Sequence, residues 1–146
     1  MDDAHISAAQ EDYLEAIMAL EAEQGRARVR DLALKLGVHK STVTAALKML
    51  TEKGLIDYEP YGRVELKEAG RRAAQRVAGR HDLLSRFLRD VLLIADDVAD
   101  ANACRMEHVM DPVLLKRIEQ FYAYLHAREA EDCKWFSGFR AYLQEQ

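Results

Sequence analysis

The segment from Val29 to Leu66 constrains this chain more than any other part of it. Val29, Leu32, Ala33 and Leu36 recur at helical spacing, as do Val43, Leu47 and Leu50, so each run predicts a helix with one apolar side. Gly37-Val38 separates the two helices with a tight turn, and Gly54 stands just past the second helix, where a left-handed residue closes a helix end. Leu55-Ile56-Asp57-Tyr58-Glu59 then reads as a strand, Pro60-Tyr61-Gly62-Arg63 as a turn and Val64-Glu65-Leu66 as the returning strand. A short helix, a glycine turn, a longer helix and an immediate hairpin form the pattern of a winged helix-turn-helix.

Charge supports the same reading. The chain carries a net −4, but from Arg26 to Arg89 it holds fifteen basic and seven acidic residues, a local +8. The remainder, with six basic and eighteen acidic residues, carries −12. A basic segment in an acidic protein predicts a polyanion-binding face. On the helix from Lys40 to Lys53, Lys40, Ser41, Thr42, Thr44, Ala45 and Lys48 point outward. Small and hydroxyl side chains let a helix sit deep in a major groove, and Ala45 is suited to a thymine methyl. Lys40 and Lys48, with Arg28 and the wing-tip Arg63, suit phosphates.

Helical patterns dominate the rest. Tyr13, Ala16, Ile17 and Leu20 line one side of a first helix over Ile6 to Glu23, which Gly25 ends and on which Asp12 and Glu15 are neighbours. A long helix over Lys67 to Leu93 begins arginine-rich and turns apolar, with His81 at the change of character. Asp96-Asp97 opens another helix, and Asp111-Pro112 stops it and starts a further one that runs to about Ala127. Apolar residues cover more of that helix than a one-sided core needs, so it is expected to meet both a core and a partner. The tail, Glu131 to Leu143, is amphipathic through Trp135, Phe136, Phe139 and Leu143. The expected fold is therefore mainly α, with a winged-helix DNA-binding domain over 1–70 and a helical domain over 71–146. No apolar run is long enough to span a bilayer, and the acidic Met1-Asp2-Asp3 lacks a signal-peptide core, so a cytoplasmic location is expected. Two cysteines, Cys104 and Cys133, make no disulfide framework.

One stretch carries a different chemistry. In a helix Cys104, Glu107 and His108 stand at i, i+3 and i+4, so a thiol, a carboxylate and an imidazole share one face. These are good donors for a divalent transition metal, although a packed thiol beside a solvated Glu and His would look the same in sequence.

These residues resemble the diphtheria toxin repressor family of metal-dependent transcription regulators over residues 6–126. Leu55-Ile56, Leu66-Lys67-Glu68-Ala69-Gly70, Arg80-His81-Asp82-Leu83-Leu84 and Ala103-Cys104-Arg105-Met106-Glu107-His108-Val109-Met110 carry the resemblance. It implies a winged helix, a helical dimerisation domain, and metal ligands at Asp12, Glu15, His81, Cys104, Glu107 and His108. The acidic pair on the first helix and the short form without an SH3-like domain resemble the manganese-sensing branch. Cys104 resembles the iron-sensing branch, since manganese sensors usually carry a carboxylate there. Fe²⁺ or Mn²⁺ is thus the expected activating ion, with other divalent transition metals acceptable to the same donors. The expected partners are a second copy of the chain and a pseudo-palindromic double-stranded operator. Six donors rich in carboxylate suit an octahedral-leaning ion better than a tetrahedral zinc.

Two other functions compete. A regulator could sense thiol oxidation through Cys104 or Cys133. A carboxylate-bridged di-iron enzyme would need Glu-x-x-His pairs on two helices, and the chain contains no Glu-x-x-His, so an enzyme is not expected.

Overall fold

The computed structural model describes residues 6–60, 62–127 and 134–145, with 134–136 described by backbone alone. Met1-Asp2-Asp3, Tyr61, Glu131 and Cys133 lie outside the described residues, as do the side chains of Trp135 and Phe136. The chain forms two compact units, Met1–Gly79 and Arg80–Gln146.

The first unit contains α1 (Ala8–Gln24), α2 (Val29–Leu36), α3 (Lys40–Glu52), β1 (Ile56–Tyr58), β2 (Val64–Leu66) and the first half of α4 (Glu68–Asp90). Ser7 opens α1 with a reciprocal capping box: its hydroxyl accepts from Gln10 N–H, and the Gln10 amide oxygen accepts from Ser7 N–H. That oxygen also accepts from Lys53 Nζ at 2.8 Å, which ties the start of α1 to the end of α3. Gly37 takes φ 66° at the turn between α2 and α3, a left-handed conformation that glycine adopts without steric cost. β1 and β2 pair antiparallel with Ile56 opposite Leu66, so Ile56, Val64 and Leu66 face inward and Asp57 and Glu65 face solvent. Leu14, Ile17, Leu32, Val43, Leu47, Leu50, Ile56 and Val64 are fully buried and form one core, to which Ala73 and Ala74 of α4 belong. Glu21 holds the start of α4 to this core, accepting from Leu66 N–H with one oxygen and from Arg71 with the other.

The second unit contains the rest of α4, α5 (Asp96–Met106), α6 (Pro112–Ala127) and α7 (Lys134–Gln144). Leu84, Ala103 and Leu115 are buried together, with Met106, Met110 and Ile118 against them. Asp111 starts α6 by accepting from Val113 N–H at 2.7 Å, and Pro112 is the first helical residue. Val113, Leu114, Phe121 and Tyr124 remain exposed on α6, the apolar excess anticipated from sequence.

The long helix stops three residues earlier than its apolar pattern suggested. Val91 and Leu92 N–H both converge on Phe87 O, Ile94 N–H returns to Leu88 O, and Leu93 takes φ 56°. The expectation of helix to Leu93 failed because a leucine occupies the left-handed position at which a glycine usually signals the stop.

Candidate metal centre and nucleic-acid interface

In the second unit, α4 presents His81 to the C-terminal end of α5. Helix α5 ends at Met106, and Glu107 is its C-cap, with the Glu107 N–H bonded to Ala103 O. The Cys104–His108 motif therefore straddles a helix end, with Glu107 turned fully inside and Cys104 exposed. Glu107 Oε2 lies 2.9 Å from His81 Nδ1. Its other oxygen lies 3.2 Å from His108 Nε2, and the His108 side chain is nearly buried. Burying a carboxylate is expensive unless it is paired or coordinated, and the ordinary solvated Glu and His of the sequence alternative do not match this arrangement. A buried carboxylate flanked by two imidazoles brings together donors of the kind that hold one cation. The donor set fits a borderline divalent ion.

Asp100, not anticipated from sequence, stands on the far side of His81. Its Oδ1 accepts from the Ser85 hydroxyl at 2.7 Å and lies 3.5 Å from His81 Nε2. The Ser85 hydrogen bond, aided by the charge of His81, holds the Asp100 carboxyl below the usual carboxylate range against a desolvation effect that opposes it. Asp100, Cys104 and Glu107 are spaced i, i+4 and i+7, a helical pattern that could have exposed Asp100 in the sequence.

In the first unit, Asp12 and Glu15 stand one turn apart on α1, both half-buried. Arg28, Lys40, Thr44 and Lys48 line one groove between α3 and the hairpin, together with Arg30 and Tyr58, which sequence reasoning missed. Arg30 repeats the basic pattern two residues after Arg28, whereas Tyr58 reads in sequence only as a strand residue. Ser41, Thr42 and Ala45 are exposed on α3. The Thr44 hydroxyl donates to Lys40 O at 2.9 Å, so its oxygen is left as an acceptor toward the groove. Arg63 is exposed at the wing but paired with Glu65 at 2.6 Å.

Comparison with known proteins returns one family for both units. A family model described as the iron dependent repressor N-terminal DNA binding domain matches residues 5–64, and one described as its metal binding and dimerisation domain matches residues 67–135. The chain is 33% identical to an uncharacterized HTH-type transcriptional regulator of Methanocaldococcus jannaschii, over 76% of this chain and 90% of that protein. It is 34% identical to the HTH-type transcriptional regulator MntR of Geobacillus kaustophilus, over 82% of this chain and 84% of the relative. Among solved structures, a manganese-dependent transcriptional repressor in complex with manganese superposes with a TM-score of 0.73 at 33% identity, covering 79% of this chain. The chain spans about half of that structure's length, 53%. Nothing in these comparisons supports the thiol-oxidation alternative.

Proposed function

The chain belongs to the iron-dependent repressor family of metal-dependent DNA-binding transcriptional regulators, which are not enzymes, and from that premise we propose that it is a cytoplasmic repressor of metal homeostasis activated by Fe²⁺ or Mn²⁺. The observation that carries the metal half of this reading is Glu107, fully buried between His81 and His108. His81, Cys104, Glu107 and His108 are the proposed ligands from the second unit. Asp12 and Glu15 enter the ligand set on the sequence alone. A bound ion supplies the positive charge that lets acidic donors gather away from water. Glu107 would share the ion with the two imidazoles beside it, and Cys104 would add a softer ligand that favours iron over manganese.

The DNA half rests on the basic groove beside α3. We assign Lys40, Lys48, Arg28 and Arg63 to phosphates and Ser41, Thr42, Thr44 and Ala45 to base edges. Residues 1–70 form the DNA-binding domain and 71–146 the metal-binding and dimerisation domain in this reading. Two copies joined through the exposed apolar side of α6 would meet two half-sites of a pseudo-palindrome, separated by whole turns of the duplex. Metal selects the DNA-competent members of the ensemble.

The test is Mn²⁺ and Co²⁺ binding by wild type, Glu107→Gln and Glu15→Gln, followed by titration calorimetry and by DNA retention. Both variants should remain folded dimers whose DNA binding no longer responds to metal. Normal metal-dependent binding by Glu107→Gln contradicts the proposed centre, and by Glu15→Gln it removes Glu15 from the ligand set.

A further inference from the structure

His81 sits between a carboxylate of α5 and one at its C-cap, with Nε2 3.5 Å from Asp100 Oδ1 and Nδ1 2.9 Å from Glu107 Oε2. The two nitrogens of an imidazole point in different directions, so one ion cannot sit on both. Without an ion, Nδ1–H donates to the Glu107 carboxylate, so an ion on that side must displace this proton and take the Nδ1 lone pair. The single proton of the neutral ring then belongs on Nε2, where Asp100 is the acceptor at hand. Asp100 is itself exposed, but its Oδ1 is anchored by the hydroxyl of Ser85, which is 3% exposed and lies one turn along α4 from His81. Asp82, Arg86 and Arg89 also line this cleft: Arg86 donates to the Asp82 carbonyl, and Arg89 pairs with Asp96 at 3.9 Å while its charge also acts on Asp100.

We propose that Ser85 and Asp100 form a positioning relay that fixes the tautomer and ring orientation of His81, so that Nδ1 is the atom given to the metal. The inference rests on the reading of His81 as a ligand. Hydrogen-bonded carboxylates behind metal-bound histidines raise ligand basicity and hold the ring in place, and their loss typically costs 10–100-fold in metal affinity. Ser85 acts one bond further out, so its removal should cost less than that of Asp100.

The experiment uses the full chain, anaerobic and reduced, with Co²⁺ alone as the probe. Affinity and stoichiometry are read from the cobalt absorption bands in wild type, Asp100→Ala, Ser85→Ala, Ser85→Thr and His81→Ala. In the Zn²⁺-loaded protein, nitrogen NMR reads the His81 tautomer. Asp100→Ala should weaken Co²⁺ about 10–100-fold at unchanged stoichiometry. Ser85→Ala should weaken it less, and Ser85→Thr should restore it. The wild-type ring should carry its proton on Nε2, and the metal-free variants should keep the wild-type circular dichroism spectrum. If His81→Ala weakens Co²⁺ but Asp100→Ala does not, the relay is wrong and the ligand reading stands. If His81→Ala leaves Co²⁺ binding unchanged, the ligand reading fails and the relay with it. Loss of a whole equivalent of Co²⁺ in Asp100→Ala would make Asp100 a ligand and overturn the positioning role.

Discussion

Alanine at position 70 should destabilise the DNA-binding unit even though alanine is the better helix former. Gly70 is the third residue of α4 and is buried against the chain entering β1. A Cβ there would fall 2.0 Å from the Leu55 carbonyl oxygen and 3.0 Å from its carbon. Real Cβ atoms essentially never come closer than 3.0 Å, and the obstacle is backbone, so α4 and Leu55 must part by about 1 Å. That movement strains the Lys67 N–H to Leu55 O hydrogen bond, now 3.0 Å. Overpacking costs about 1–3 kcal/mol and a weakened hydrogen bond about 1 kcal/mol more. Helix propensity returns about 1 kcal/mol, so Gly70→Ala should lose about 1–3 kcal/mol. Gly79 on the same helix is the control, because nothing lies within 4 Å of its virtual Cβ. Gly79→Ala should gain about 0.5–1 kcal/mol. Urea denaturation of both variants, followed by circular dichroism without metal, reads the two signs directly. A Gly70→Ala chain as stable as wild type would refute the packing argument, since propensity alone predicts gains at both positions.

Three further outcomes follow from the two faces of the protein. Lys40→Ala and Lys48→Ala should each weaken binding to all DNA sequences and reduce the slope of log affinity against log salt by about 1, measured by fluorescence anisotropy at several salt concentrations. Unchanged slopes in both would remove α3 from the interface. Thr44→Ala should cost less affinity but alter base preference at one position in each half-site, because it removes an acceptor; selection from random-sequence DNA by both proteins checks this. Cys104→Glu should shift activation from Fe²⁺ toward Mn²⁺, because it replaces a soft thiolate with a hard carboxylate. An identical ranking of Mn²⁺, Fe²⁺, Co²⁺ and Zn²⁺ in both proteins, without oxygen, would show that Cys104 is no ligand.

The first unit was legible in sequence because its signals are local. Leu32 and Ala33, then Val43, Leu47 and Leu50, mark the buried sides of α2 and α3, and Gly37 and Gly54 punctuate them. Alternation in Val64-Glu65-Leu66 gave the inward side of the wing. The second unit was less readable. Leu93 ends a helix without a glycine, so the apolar pattern ran past the true stop. The triplet Cys104, Glu107 and His108 was visible, but not that the helix would end at Met106 and bury Glu107 while Cys104 stays exposed. Periodicity reports which residues share a face, not which of them a neighbouring helix covers. Ser85 and Asp100 meet across α4 and α5, fifteen positions apart, a pairing that no single-helix pattern encodes. Arg30 and Tyr58 entered the groove through the packing of α2 and the hairpin around α3.

Metal-titrated DNA binding tests the central claim most directly. The probe is a duplex selected by the protein from random-sequence DNA in the presence of Mn²⁺, with reductant constant and oxygen excluded. The account predicts that the metal-free chain binds this duplex weakly, that Fe²⁺ and Mn²⁺ each raise its affinity at least tenfold, about 1.4 kcal/mol or more, and that Glu107→Gln removes the increase while leaving the weak binding. Equal affinity with and without metal, or an undiminished response in Glu107→Gln, would contradict it.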